Sequence, residues 1–256
     1  MNMKRIFYIL LTVLVVTSCG VAGKKGANDK IVIGLGHSGI PDATRECWFK
    51  AVTDAGAELV EFPNYAQNDE EARQLVAGVD AVIIPGSGTK DSSGRKYSDF
   101  RLIKAALESG KPLLGVCEGH QRINQYLGGK IQKVSDVFPN TTIQHKIYDA
   151  NGKNIGANME AHPIIIDRKS KLYKILGKRD TVMVNTSHNW CTGVMSDSVK
   201  VTALAPDGLV EAYEMRNVMG VQFHPEYLYC RVGKKDFLAI FHNLIEEART
   251  AKNKKK

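Results

Sequence analysis

The stretch SDFRLIKAALESGKPLLGVCEGHQRINQYL, Ser98 to Leu127, decides the fold. Phe100, Ile103 and Leu107 recur at helical spacing and predict a helix over Ser98–Ser109. Gly110 and Pro112 end it, PLLGV reads as a short apolar strand, and the chain turns at once at Cys117. A second helix, carrying Ile123 and Leu127, is expected from Glu118 to Leu127. Helix, strand, abrupt turn and helix are the repeating unit of a parallel sheet, whose neighbouring strands need crossover connections.

The same alternation extends upstream through IVIGLG, a helix over about Ala43–Gly56, ELVEF, a helix over Asp69–Val76, and AVIIP. Downstream, Gly128 to Gly156 shows no clear period and receives no assignment. HPIIID, TVMVN, KVTALA, LVEAYEM and MGVQFHP read as strands, and a last helix over about Lys235–Ala248 gathers Phe237, Ile240, Phe241, Leu244 and Ile245 on one face. The expected fold is α/β, flavodoxin-like, a mostly parallel sheet with helices on both faces. Such sheets place their sites at the carboxyl ends of strands, which here are the positions of Gly86 and Cys117.

The two ends read differently from this body. MNMKR is basic, Ile6 to Val16 is an eleven-residue run broken only by Thr12, and small residues then lead to Cys19. A bilayer core takes about 20 helical residues, so residues 1–18 read as an export signal rather than a span. Val16-Thr17-Ser18-Cys19 resembles a bacterial lipobox, in which Cys19 is lipidated and starts the mature chain; a plain signal cut nearby is the other reading. Residues 19–29 are small and polar, as suits a tether, residues 30–250 form the domain, and 251–256 a basic tail. The expected location is outside the cytoplasm, anchored to a membrane.

The net charge is +8, but Lys4, Arg5, Lys252, Lys254, Lys255 and Lys256 supply six of those charges and leave +2 for the rest. Basicity confined to the ends argues against a nucleic-acid surface. The five cysteines, Cys19, Cys47, Cys117, Cys191 and Cys230, show no CxxC spacing, so no metal site is expected; a Cys191–Cys230 disulfide stays open for an oxidising compartment. No cofactor is expected, and nothing in the sequence sets an oligomeric state.

Three segments carry chemistry. In GVCEGHQ, Cys117 sits at a helix N-terminus, where the partial positive charge favours a thiolate, and Gly115 and Gly119 allow the bend. The following amide, of Glu118, is placed to donate to an oxyanion. Alone, this cysteine reads more readily as a buried structural thiol at a tight turn than as a nucleophile. In GVQFHPEY, His224 and Glu226 flank Pro225 in a segment read as extended, so both side chains leave one face and the carboxylate can orient the imidazole. In AVIIPGSGT, Gly86 and Ser87 offer main-chain amides that complement that of Glu118. Together they supply a nucleophile, a base, an orienting acid and an oxyanion loop at strand ends of one sheet.

This constellation resembles the class I glutamine amidotransferases: GVCEGHQ is similar to their GxCxGxQ elbow, HPE to their His-x-Glu pair, and IIPGS to their Pro-Gly-Gly loop. The closer likeness is to γ-glutamyl hydrolases, particularly the γ-glutamyl-γ-aminobutyrate hydrolase branch, through Asp99–Gly129, the segment HPIIIDRKSKLYKILG, and VNTSHN. The resemblance implies Cys117 as nucleophile, His224 as base and Glu226 as its partner, with Gln121, Ser187 and His188 helping to hold a glutamyl group. It also implies cleavage of a small γ-glutamyl amide through a thioester. An amidotransferase subunit supplying ammonia to a synthase, and a non-catalytic lipoprotein that captures γ-glutamyl compounds, are the alternatives. Three departures stand out: Ser87 replaces the loop's second glycine, Asn189 and Trp190 replace a His and a Gln, and Glu118 stands where Arg is common. A carboxylate side chain beside Cys117 is expected to oppose the thiolate.

Overall fold

A computed structural model describes residues 30–37, 39, 42–86 and 93–254. The export signal, Cys19, the tether, Ser87 and the last two residues of the basic tail lie outside the described residues. The first half alternates as its periodicity requires: β1 (Val32–Leu35), α1 (Asp42–Asp54), β2 (Glu58–Glu61), α2 (Asp69–Ala77), β3 (Ala81–Ile84), α3 (Ser93–Ser109), β4 (Leu113–Val116) and α4 (Glu118–Tyr126). The stretch left unassigned in the sequence begins with β5 (Lys130–Lys133) and a short α5 (Val134–Val137), then runs irregularly to β6 (His162–Ile166). After it come α6 (Lys171–Ile175), β7 (Thr181–Val184), β8 (Trp190–Val194), β9 (Lys200–Leu204), β10 (Val210–Met215), β11 (Val218–Val221), α7 (Pro225–Cys230) and α8 (Leu238–Asn253).

Nine strands form one sheet in the order β2-β1-β3-β4-β11-β10-β9-β6-β7. β2, β1, β3, β4 and β11 are parallel to one another. Beyond β11 every pairing is antiparallel, so β10 and β6 run against the other strands. β5 and β8 pair separately as a two-stranded sheet. Among the described residues no helix is long and apolar enough to cross a membrane.

Strand alternation explains the two covered faces. Ile33, Leu35, Ala81, Ile83, Leu114 and Val116 point to one side, where Trp48 and Val52 of α1 and Phe241, Leu244 and Ile245 of α8 meet them. Val82, Ile84 and Leu113 point to the other, against Val76 of α2, Leu102 and Ile103 of α3, and Ile123 of α4. All four residues of β3 and of β4 are buried, which is why both read as unbroken apolar runs. With both faces filled, polar chemistry is left to the strand ends.

Candidate active site

The turn after β4 is tight because its backbone has no room for anything else. Cys117 adopts φ 53° and ψ −107°, a left-handed conformation that side chains rarely take. A Cβ on Gly119 would fall 1.8 Å from the Ile84 carbonyl oxygen, and one on Gly115 would fall 2.6 Å from Ile123 Cδ1. The two glycines flanking the cysteine are thus dictated by the close passage of α4 over β3 and β4. The strain holds the Cys117 side chain up at the start of α4, whose first amides, that of Glu118 among them, have no acceptor within the helix.

His224 and Glu226 come from the neighbouring strand end, but not as an extended pair. Pro225 opens α7, where its missing N–H costs nothing, and Glu226 lies in the first turn of that helix. His224 itself keeps a non-helical backbone (φ −107°, ψ 89°), as the residue before a proline should. The helical turn still brings the side chains together: His224 Nδ1 lies 2.7 Å from Glu226 Oε1, with Glu226 almost wholly buried. The imidazole lies beside Cys117, both packing against Gly86. Burial would depress the His224 pKa, but the charges and hydrogen bonds of Cys117 and Glu226 outweigh it and raise it to about 10. The Tyr227 ring stacks on His224 at 5.1 Å between centroids, which limits how the imidazole can rotate.

Gly86 closes the other side. A Cβ there would fall 2.9 Å from His224 Cε1 and 3.3 Å from the Cys117 Cβ, so the backbone after β3 passes directly beside the pair. Cys117, His224, Glu226, Gly86 and the Glu118 amide therefore assemble as the sequence implied.

The side chain of Glu118 does not behave as expected. Its carboxylate accepts from Arg95 Nη1 at 3.1 Å and from Arg122 Nη2 at 2.8 Å. Arg95, 2% exposed, also donates to the Pro85 carbonyl at 2.7 Å and lies 3.3 Å from Asp99. Two guanidiniums against two carboxylates leave little net charge facing the thiol, and the network ties the ends of β3 and β4 to α3. Sequence reading missed Arg95, although Arg95, Asp99 and Leu102 share one helical face and so put charge on a buried stripe. It also missed Asn185, which ends the apolar run of β7: its side chain accepts from the His224 amide at 2.8 Å and donates to the His224 carbonyl at 3.1 Å.

The three residues expected to hold substrate are engaged within the protein. Gln121 is buried and donates to the Trp190 carbonyl at 2.7 Å and to Gln222 Oε1 at 3.0 Å, while Gln222 Nε2 reaches Cys117 Sγ at 3.6 Å. Ser187 accepts from Asn154 at 2.6 Å. His188 is buried beside His145 and Glu211. Past these residues lies a cavity of about 470 Å³ lined by Lys133, Lys146, Tyr148, His188, Asn189 and Trp190 among others. Among the described residues Cys47, Cys117, Cys191 and Cys230 form no disulfide; Cys47, and not Cys191, is the neighbour of Cys230.

Comparison with known proteins shows the family and the fold. The Peptidase C26 family model matches residues 36–226. The chain is 25% identical over 228 residues to γ-glutamyl-γ-aminobutyrate hydrolase PuuD of Escherichia coli, covering 80% of this chain and 89% of PuuD. It is 33% identical over 136 residues to Protein NtpR of Enterococcus hirae, where it spans only 54% of that protein and 52% of its own length. The glutaminase domain of Trypanosoma brucei CTPS, solved with bound acivicin, superposes with a TM-score of 0.60 at 19% identity, covering 85% of this chain and 94% of that one. A cysteine on a strained elbow, a paired histidine and a matching family model over most of the domain lead to one conclusion: the chain belongs to the Peptidase C26 family of glutamine amidotransferase-like hydrolases.

Proposed function

We propose that the protein is a cysteine hydrolase of γ-glutamyl amides, acting through Cys117, His224 and Glu226. The observation that carries this is the buried His224–Glu226 pair at 2.7 Å, set beside a cysteine on a strained elbow. The Cys117 thiolate attacks the γ-carbonyl carbon, and the carbonyl oxygen takes the charge beside the Gly86 backbone and the Glu118 amide. His224 gives its proton to the leaving nitrogen as the C–N bond breaks and a thioester forms. Water, deprotonated by His224, then attacks the thioester, releasing glutamate and restoring the thiol. Glu226 keeps the imidazole oriented and stabilises its charged form throughout.

The reading includes a leaving amine that itself bears a carboxylate and reaches the neighbouring cavity, whose lining holds none of the three catalytic residues. Lys133 Nζ lies 5.7 Å from the Trp190 ring centre and Lys146 Nζ 5.7 Å from that of Tyr148, so two cations and two apolar faces line it. Incubation with γ-glutamyl-γ-aminobutyrate, neutral γ-glutamyl amides and glutamine, read as amine or ammonia released, tests the reading. Release from the acidic substrate above the others, abolished in Cys117→Ser, is expected. Release of ammonia from glutamine alone would replace it with a glutaminase role. We further propose lipidation at Cys19 and an extracytoplasmic location, because basic, apolar and small-plus-cysteine segments follow in order. Partition of the protein into the detergent phase should be lost in Cys19→Ala.

A further inference from the structure

Five buried polar atoms with no hydrogen-bond partner converge behind the cavity wall: Nδ1 of His145, Nε2 of His162, Nε2 of His188, and both carboxylate oxygens of Glu211. All four side chains are at most 3% exposed. The three ring nitrogens lie 3.8, 3.6 and 3.9 Å from Glu211 Oε1, in the order His145, His162, His188. These separations are too long for hydrogen bonds. Ligands about 2.0–2.1 Å from a tetrahedral zinc ion stand roughly 3.3–3.4 Å apart, only a few tenths of an ångström closer. The donor atoms of His145, His188 and Glu211 all lie within 4.8 Å of one another, and His162 approaches from the Glu211 side.

The far side of each ring is already committed. His145 Nε2 lies 2.9 Å from Asp207 Oδ2, His162 Nδ1 3.1 Å from the Pro163 carbonyl, and His188 Nδ1 3.0 Å from the Trp190 carbonyl. A carbonyl or carboxylate oxygen requires the proton on that outer nitrogen, which leaves each inner nitrogen with its lone pair facing inward. Three lone pairs and a carboxylate then face one another in a buried space, an arrangement that a bound metal ion, or a proton on Glu211, relieves. Imidazole and carboxylate without thiolate is a donor set that zinc accepts.

We propose that His145, His188 and Glu211 bind one divalent transition-metal ion, zinc by its donor set, with His162 beside Glu211 at the edge of the site. None of its ligands is Cys117, His224 or Glu226, which separates this site from the cysteine chemistry. The ion joins the irregular segment before β6, the β7–β8 connection and β10. It also braces the reaction centre, since the Gln222 amide donates to the Glu211 carbonyl at 2.8 Å and the Gln222 side chain touches Cys117. The cavity lined by His145 and His188 offers a path of entry. The expectation of no metal rested on cysteine spacing, and this cluster contains no cysteine.

The test is metal analysis of the full chain purified without chelator, followed by stripping and titration with Zn²⁺ alone. One zinc per chain is expected, with the melting temperature falling on stripping and returning on zinc addition. Glu211→Gln and His145→Ala should each weaken zinc binding at least 100-fold. Because either variant could fold poorly, the wild-type chain loaded with Co²⁺ gives an independent readout: tetrahedral visible bands with no thiolate charge-transfer band. Substoichiometric binding with an unchanged melting temperature, or a thiolate band from cobalt held by a cysteine, would overturn the assignment.

Discussion

Replacing Glu118 with Arg separates two accounts of the residue beside the nucleophile. If the carboxylate faced the thiol, the substitution would leave stability intact and speed thiolate chemistry. In the structure the carboxylate instead bridges Arg95 and Arg122, whose side chains are 2% and 8% exposed, while Glu118 itself is 16% exposed. Among Arg95, Arg122, Asp99 and Glu118 the formal charge then goes from zero to +2. Removing one partner of a buried ion pair costs about 3–5 kcal/mol, and two hydrogen bonds to charged groups at about 1.5–3 kcal/mol each give a similar range. A third guanidinium adds repulsion, partly relieved where the long side chain reaches solvent. The expected loss for Glu118→Arg is therefore about 3–5 kcal/mol, a large part of the roughly 5–15 kcal/mol that holds a domain folded. Glu118→Gln keeps one acceptor and should lose about 1–3 kcal/mol. Urea unfolding checks both, read as a shift of midpoint at constant slope. A Glu118→Arg protein with a wild-type midpoint and faster alkylation of Cys117 would refute the bridging role.

In Glu226→Gln, kcat should fall by about 10³–10⁴, the scale seen when an orienting carboxylate in such a triad is neutralised. Because Glu226 is one of the groups that raise the His224 pKa to about 10, the alkaline limb of kcat/KM should also move to lower pH; a limb that stays in place would exclude the pairing. Gly119→Ala drives a Cβ to within 1.8 Å of the Ile84 carbonyl, so the variant should express insoluble or melt far below the wild type. Asn185→Ala unties both main-chain groups of His224 and should cost about 2–4 kcal/mol together with a lower kcat, measured by urea unfolding and initial rates. Burial pushes the thiols of Cys47 and Cys191 up to about 12 and 11, so brief alkylation at neutral pH, mapped by mass spectrometry, should modify Cys117 well before either.

What could be read from the sequence follows from how far apart the cooperating residues lie along the chain. The strands and helices of the first half were legible because apolar period and turn residues are local, and β3 and β4 are buried along their whole length. The elbow and the His-Pro-Glu segment were legible for the same reason, since each packs its chemistry into a few consecutive residues. The conformation of His-Pro-Glu was misread because the pattern of an alternating strand and that of a proline-initiated helix coincide over three positions. β5 and β8 escaped because they pair only with each other, and β5 buries none of its four residues.

The residues that were missed each act across the fold. Arg95 reaches Glu118 over 23 positions and Asn185 reaches His224 over 39, so neither makes a local pattern at the residue it serves. The histidine cluster is the extreme case: four elements each contribute one residue, and each histidine alone reads as an ordinary buried ring. Only the sheet order brings them together, because β10 lies between β11, which leads to His224, and β9, which joins it to β6 and His162. Glu211 and Gln222 are consequently neighbours across that ladder, with the proposed ion on one and the nucleophile on the other. A metal there would fix the position of the amide side chain nearest the Cys117 sulfur. Stripping it should therefore slow alkylation or turnover at Cys117 even though no ligand of the ion belongs to the triad, and unchanged rates in stripped, still-folded protein would confine the ion to stability alone.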